Sequence, residues 1–474
     1  MTSDAARTGV EFLGVAATAY LVLWAIVQLG FAMLAIIALR RHLGRHTRRA
    51  RALVNHVSPP RVSIIVPAFN EQLTIVESIR ALMAIDYDDC EIVVVNDGSS
   101  DGTLALLQQT FELIPGPLAF VQPLSSRPVR GIYRSVTSDA LVVVDKENGG
   151  CKADAANAGI NAASGTLVLV MDADTLIDSD ALNQAVLAFL EDPLTIAVGA
   201  YVTIANGCVI NRGRVTTVRM PRSWLARIQI VEYMRAFLMF RLACAYGNAL
   251  LILSGAFGLF RRDAVIMVGG FDQKAIGEDM DLTLRLHRHY RERGEPFRIA
   301  FTPSSLCRTQ APEDRASLRG QRYRWRRGLL QVLWRNRGLV GNPRYGLAGV
   351  VMLPYMILFE ALAPLLEVAT YFVVAVAVVT GNFEPGHGIQ LALLWILLGT
   401  TTSLISVLLS DLATHEYMHG TDLALLVVAA LAENVGYRQM NSWWSCVATM
   451  QVLTGRGGGW GPMRRQAFQA AKQP

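Results

Sequence analysis

The stretch LVLVMDADT, Leu167 to Thr175, runs through five large apolar residues and then sets two aspartates, Asp172 and Asp174, one residue apart. A buried strand has no use for charge at its end unless that end faces something cationic. Upstream, the runs RVSIIVPAFNE (61–71), EIVVVNDGSSDGT (91–103) and ALVVVDKENGG (140–150) behave alike, closing on Asn, Asp and Gly. Helix-like segments QLTIVESIRALM (72–83), LALLQQTF (104–111) and KADAANAGINAA (152–163) follow them. Continuous apolar strands alternating with helices predict a parallel sheet in a doubly wound α/β domain. Ligands of such sheets gather outside the carboxyl ends of the strands. Asn70, Glu71, Asn96, Asp97, Asp145, Asp172 and Asp174 would crowd that edge. Carboxylates at i and i+2 point to one side of an extended chain and can share a hard divalent cation, leaving positions open for phosphate oxygens. Alone, the pair is more often a turn or a helix cap than a metal site.

The rest of the chain is of another kind. Of 474 residues, 52% are hydrophobic and 17% charged. That is too apolar for one soluble domain and too charged for a chain made only of membrane spans. The net charge of +6 sits largely beside apolar segments, which points to lipid headgroups rather than nucleic acid. Six scattered cysteines with no C-x-x-C pair read as reduced thiols. An apolar run over 10–39 exceeds the roughly 20 residues that cross a bilayer, and no basic segment precedes it as in a signal peptide. The arginine-rich RRHLGRHTRRARAL (40–53) after it belongs on the cytoplasmic side.

Six regions result: an N-terminal transmembrane helix (1–40), a basic linker (41–60), the α/β domain (61–311), amphipathic interfacial helices (312–345), a C-terminal transmembrane region (346–455) and a basic tail (456–474). Candidate spans lie at 346–362, 364–381, 388–410 and 422–440, with Pro364 able to kink one longer helix instead. The loops 381–388 and 411–421 carry no Lys or Arg, whereas the tail is basic. A cytosolic tail requires an even number of crossings after the α/β domain; four are expected.

SIIVPAFNE, VVVNDGSSDGT, NGGCKADAANAGI, DAD, SGAFGLFRRDAV, GEDMDLTLRL and QRYRW occur in that order. Over 61–335 the chain resembles a family 2 glycosyltransferase of the membrane-embedded, processive kind. Poly-N-acetylglucosamine, hyaluronan, chitin and cellulose synthases are similar. The resemblance implies a GT-A domain, a Rossmann-like mixed sheet that binds a nucleotide sugar, joined to an α-helical transmembrane region. It implies an inverting, processive β-glycosyltransferase of the bacterial inner membrane with its catalytic domain cytosolic. A UDP-sugar, best matched by UDP-N-acetylglucosamine, would extend a polysaccharide acceptor that passes outward. Mg2+ or Mn2+, membrane lipids and accessory export subunits are the implied partners.

Carried over residue by residue, Pro67, Ala68 and Glu71 match the turn that cradles uracil and ribose, and Asp97 the aspartate that binds the base. Asp172 and Asp174 match the D-x-D that holds the metal on the diphosphate. Lys152 matches a lysine near the sugar nucleotide, but Cys151 is inserted in the usual G-G-K, which can bulge the loop or re-aim the lysine. Asp279 in GEDMD matches the general base, with Glu278 beside it. These acids together with Asp281 also suit the N-terminus of the helix that follows. Ser254 and Gly255 match the acceptor end. Gln321, Arg324 and Trp325 fit Q-x-x-R-W, in which tryptophan stacks on a sugar and arginine grips pyrophosphate. Eight arginines crowd 315–337; Arg326, Arg327, Arg335 and Arg337 are expected to meet lipid.

Glu360 and Glu367, seven residues apart, share a helical face and would line a wet cavity or sit at an interface; Glu433, Tyr437 and Arg438 would line the same path. HEYMH (415–419) matches the H-E-x-x-H of zinc proteases, so an intramembrane metalloprotease is a competing reading, disfavoured by the Gly420 that follows. A non-processive transferase acting on a lipid acceptor competes as well, as does a receptor or export scaffold with a degenerate transferase domain.

Overall fold

The computed structural model describes residues 2–46, 58–117, 121–211, 214–381, 385–417 and 420–455. Most of the basic linker, the C-terminal tail, and Met418 and His419 of the HEYMH stretch lie outside them.

A helix, α1 (Thr2–His46), leads into the α/β domain. The domain's strands are β1 (Val62–Ala68), β2 (Cys90–Asp97), β3 (Leu113–Pro115), β4 (Val129–Ser135), β5 (Leu141–Lys146), β6 (Leu167–Val170), β7 (Leu176–Ile177), β8 (Thr195–Ile204), β9 (Val209–Asn211), β10 (Arg214–Thr217), β11 (Gly258–Arg261) and β12 (Arg298–Thr309). Ten of them form one sheet in the order β3-β4-β5-β2-β1-β6-β11-β8-β12-β7. The centre, β5-β2-β1-β6, is parallel, as the alternation of apolar runs and helices predicts. The sheet as a whole is mixed, because β11 runs antiparallel between β6 and β8, and β3, β4 and β7 pair antiparallel at the edges. Periodicity does not carry that information, since a four-residue buried strand reads the same in either direction. Ile64, Ile65, Val93, Val94, Val143, Val168 and Leu169 are fully buried and form the floor beneath the site.

Among the described residues, four helices are long and apolar enough to cross a membrane: 14–44, 348–379, 392–414 and 420–453. The spans expected at 346–362 and 364–381 belong to one helical run, broken by a bend at Leu362 where Pro364 starts the next segment. Proline suits a first helical turn because its missing N–H has no partner there. The run at 420–453 is also interrupted, at Val435 (φ −119°, ψ 111°) and Gly436 (φ 85°, ψ −53°). Both of its ends meet the α/β domain side. Just before it, Glu416 pairs with Arg308 of β12 at 2.6 Å; near its end Thr449 accepts from Arg326 at 2.9 Å and Gln451 from Arg327 at 2.5 Å.

Those contacts revise the expectations for the arginines and for the membrane carboxylates. Arg326 is buried and also donates to the backbone carbonyls of Glu360 and Ala361, just before the bend, so it clamps a helix end rather than a lipid headgroup. Arg335 pairs with Asp272 at 2.5 Å, and Arg337 donates to the Trp334 carbonyl at 3.1 Å. The bend separates Glu360 from Glu367. Glu367 is 3% exposed and accepts from Tyr371 (2.5 Å), Ser442 (2.9 Å) and Arg438 (3.3 Å). Glu433 is taken by Arg235 and Ser403 in the same way, and Tyr437 donates to Glu232 at 2.9 Å. Carboxylates in apolar surroundings are tolerated when paired, and Glu367 and Glu433 are pinned rather than free to line a passage.

Candidate active site

The carboxyl edge of the parallel strands gathers most of the residues singled out above. Asp97 closes β2 with 5% exposure; its Oδ1 receives Lys146 at 2.5 Å and the Gly149 N–H at 3.0 Å. Gly98, next in the chain, has φ +62°, and a β-carbon there would lie 2.7 Å from the Asn148 nitrogen. Only glycine fits that turn. Pro67 and Ala68 end β1 beside it. Asn70, at φ 56°, accepts from the Ser100 N–H at 2.8 Å and so knits the first two loops together. Glu71 turns inward: it is 2% exposed and accepts from Thr74 at 3.0 Å, while its own N–H donates to Thr103.

Asp172 and Asp174 lie in a turn one residue past the end of β6, not on the strand itself. Alternation survives the turn: Ala173 and Thr175 are buried, and the two aspartates face the other way, half-buried. Burial and the Asp172 charge push Asp174 up to about 6. Two hard oxygen donors that repel each other suit a divalent cation, with remaining positions left for phosphate oxygens and water.

Cys151 takes an extended conformation as the N-cap (φ −155°) of α2 (Lys152–Ala162). The insertion therefore sits outside the helix, and Lys152 still reaches the site. Its ammonium donates to Asp172 at 2.5 Å and to the Gly255 carbonyl at 2.8 Å. Burial disfavours that charge, but Asp172 and Glu278 outweigh it and hold the lysine above its ordinary value. A β-carbon on Gly255 would lie 3.2 Å from the Lys152 ammonium. Ser254 shapes the turn by accepting from the Ala256 and Phe257 N–H groups.

Glu278 and Asp279 open α3 (Glu278–Arg293). Asp281, alike in sequence, is only structural: it is 4% exposed and bonded to Arg285 at 2.7 Å. Burial, then the charge of Asp279, pushes Glu278 up to about 7. Burial also raises Asp279, although the Met280 N–H and the Arg241 charge oppose it. Glu278 therefore titrates near neutrality, and Asp279 above its ordinary range, as suits a site that moves a proton.

The Q-x-x-R-W residues lie on α4 (Arg315–Arg335). Arg324 faces the charges of Asp172, Glu278 and Asp174. Trp325 is 44% exposed, with Arg322 stacked 4.7 Å from its ring centre. Arg322 is itself fixed by two 2.6 Å bonds to Glu232. The buried Oε1 of Gln321 has no hydrogen-bond partner among the described residues.

A family model for glycosyltransferases, "Glycosyltransferase like family 2", matches residues 59–328, more than half of the chain and every site residue just described. The chain belongs to glycosyltransferase family 2. This family 2 transferase is 30% identical over 275 residues to the poly-beta-1,6-N-acetyl-D-glucosamine synthase of Staphylococcus aureus (strain COL). It is 28% identical over 275 residues to that of Staphylococcus epidermidis. The match takes in 58% of this chain and spans 56% of the relatives' length. Among solved structures, the mannosyltransferase PcManGT from Pyrobaculum calidifontis, in complex with GDP-Man and Mn2+, superposes with a TM-score of 0.50 at 21% identity. That likeness covers 86% of this chain and 99% of PcManGT, and it concerns the fold.

With the family known, HEYMH loses its catalytic reading. The helix Pro385–Thr414 ends before His415, so the motif's first histidine is not on a helix, and Glu416 is spent on Arg308. Three residues around the transferase site are given no role by the motifs: Lys146 and Arg241 lie outside them, and Asp154 lies inside NGGCKADAANAGI. Lys146 and Asp154 are buried beside Asp97. Arg241, stacked 3.9 Å from the Phe237 ring centre, faces Asp279 and is pulled down to about 10 by burial. A lysine directly after the apolar run ALVVVD is the available clue to Lys146; nothing local marks Arg241, which reaches the site through a π-helical turn spanning Arg235–Arg241.

Proposed function

We propose that this transferase is a processive, inverting β-glycosyltransferase that builds a polysaccharide from a UDP-sugar, with UDP-N-acetylglucosamine as donor. The observation that carries this reading is the convergence of Lys152, Asp172, Glu278, Asp279 and Arg324 from four separate elements on one pocket. The names of the relatives support the donor.

In this mechanism Asp97 accepts a hydrogen bond from the uracil ring. Lys152 and Arg324 hold the diphosphate oxygens and stabilise the charge that develops there. Asp172 and Asp174 would hold Mg2+ or Mn2+, which supplies Lewis-acid neutralisation of the departing UDP. Asp279 takes the proton of the acceptor hydroxyl as that oxygen bonds to the anomeric carbon and the bond to the diphosphate breaks. A single displacement inverts the α-linked donor to a β-linkage. Trp325 offers its exposed face to the acceptor sugar.

The membrane arrangement follows from the same reading. The first helix crosses outward to inward, Ala363–Val379 and Pro385–Thr414 cross out and back, and the interrupted run 420–453 enters and leaves on the catalytic side. The catalytic domain and the end of that run at Leu453 then share the cytosolic face of the bacterial inner membrane, and three full crossings suffice.

The test is product size. The full chain in lipid vesicles is given UDP-N-acetylglucosamine at limiting turnover. Long chains beside unused acceptor support processivity; a product lengthened by single sugars contradicts it.

A further inference from the structure

Behind the carboxylate face lies a buried ion triad, two of whose members, Lys146 and Asp154, the mechanism above does not use. The Lys146 side chain is 0% exposed, and its ammonium meets Asp97 at 2.5 Å and Asp154 at 2.5 Å. It also donates to the Glu147 carbonyl at 2.5 Å. The Asp154 side chain is 1% exposed and accepts from the Arg127 N–H at 2.9 Å. A β-carbon on Gly149 would run into the Asp154 carboxylate, so the loop after β5 lies flat over the triad.

A buried ion pair is weak evidence for stability, because apolar residues of the same volume generally serve as well. Position makes the stronger argument. Lys146 is the last residue of β5 and stands in register with Asp97, the last residue of β2. Both the lysine and the Gly149 N–H take Oδ1 of Asp97. Oδ2 takes part in neither bond. Asp154, in the first turn of α2, supplies the second negative charge beside the ammonium.

We propose that Lys146 is a positioning residue for donor binding, fixing the Asp97 carboxylate so that its other oxygen meets the base. An ionised, immobilised carboxylate is an acceptor only. It therefore selects a base that offers a ring N–H, as uracil does. The inference rests on the reading of Asp97 as the nucleotide aspartate.

The test uses the full detergent-solubilised chain, with UDP as the probe. D97N measures the underlying reading. K146M/D154L removes one charge of each sign, leaves Asp97 the only charge of the triad, and is checked for folding by thermal unfolding; K146M/D154N is the second variant. The expected result is a UDP affinity about tenfold weaker in D97N and in the double variants, the loss of one charge-assisted hydrogen bond. Donor KM rises with it, while kcat changes less. A folded double variant that binds UDP as the native chain does, while D97N is weakened, overturns the role of Lys146. Unchanged UDP binding in D97N overturns the nucleotide reading, and this proposal with it.

Discussion

Gly328 on α4 lies directly against Gly277, the residue that precedes Glu278 and Asp279: a β-carbon on Gly328 would sit 3.0 Å from the Gly277 nitrogen. Two glycines let the Q-x-x-R-W helix approach the backbone of the catalytic turn, which holds Arg324 and Trp325 within reach of the site. G328V should push the helix away. Overpacking of this kind costs about 1–3 kcal/mol, and a displacement near 1 Å at a reacting site lowers turnover about 100-fold. UDP binding should weaken far less than transfer, losing the Arg324 contact to the diphosphate while Asp97, on a separate strand, is undisturbed. Transfer rates and UDP calorimetry on one preparation separate the two effects.

Asp279→Asn should abolish transfer, by about 100-fold or more as expected for a lost general base, and leave UDP binding intact. Retained turnover contradicts the assignment of Asp279 as the base.

The pH dependence follows from the raised pair at the start of α3. The base works ionised, and burial holds Asp279 above its ordinary value, with its neighbour Glu278 at about 7. Activity is therefore lost as pH falls through the raised Asp279 ionisation, so the acid limb should lie above the ordinary carboxylate range of about 4. Stability runs the other way. Between 4.5 and about 7 the folded chain holds on Glu278 a proton that the unfolded chain has released, so this contribution falls as pH rises across that window. Rate profiles and unfolding of the ligand-free protein test both signs.

Asp174, pushed up to about 6 by burial and by Asp172, must ionise to hold a metal. Mn2+ affinity in the presence of UDP should weaken as pH falls below about 6 and level off above it. Asp174→Asn should weaken Mn2+ binding across the whole range. Calorimetry is the check.

Arg308 and Glu416 join β12 to the loop after the helix Pro385–Thr414 through a pair with both side chains 10% exposed. Removing one partner of a buried pair costs about 3–5 kcal/mol, so E416Q should lower the unfolding temperature. Transfer at low temperature should persist, and zinc chelators should have no effect on it. Transfer that depends on zinc would restore a catalytic role for HEYMH.

The parallel centre of the sheet and the cluster at its edge were legible because each depends on local pattern: apolar runs with period-free burial, ending in Asp or Asn. Lys152 was legible despite Cys151, since an extended N-cap absorbs the extra residue without rotating the helix. Strand direction was not legible, because β11 owes its antiparallel place to a long connection and not to its own four residues. Arginines on α4 misled for a related reason. Arg326 and Arg327 look like membrane-facing charges in sequence, and their partners, Thr449 and Gln451 on Arg438–Leu453 and the carbonyls of Glu360 and Ala361, are distant in the chain. Lys146 and Arg241 owe their place in the site to tertiary contacts alone.

The most direct measurement is UDP release by the purified, detergent-solubilised chain across a panel of UDP-sugars, each with Mg2+, Mn2+ or EDTA. Metal-dependent release with UDP-N-acetylglucosamine, abolished by EDTA and accompanied by a high-mass product, is the predicted result. Release that persists in EDTA, or that occurs with a different sugar only, contradicts it.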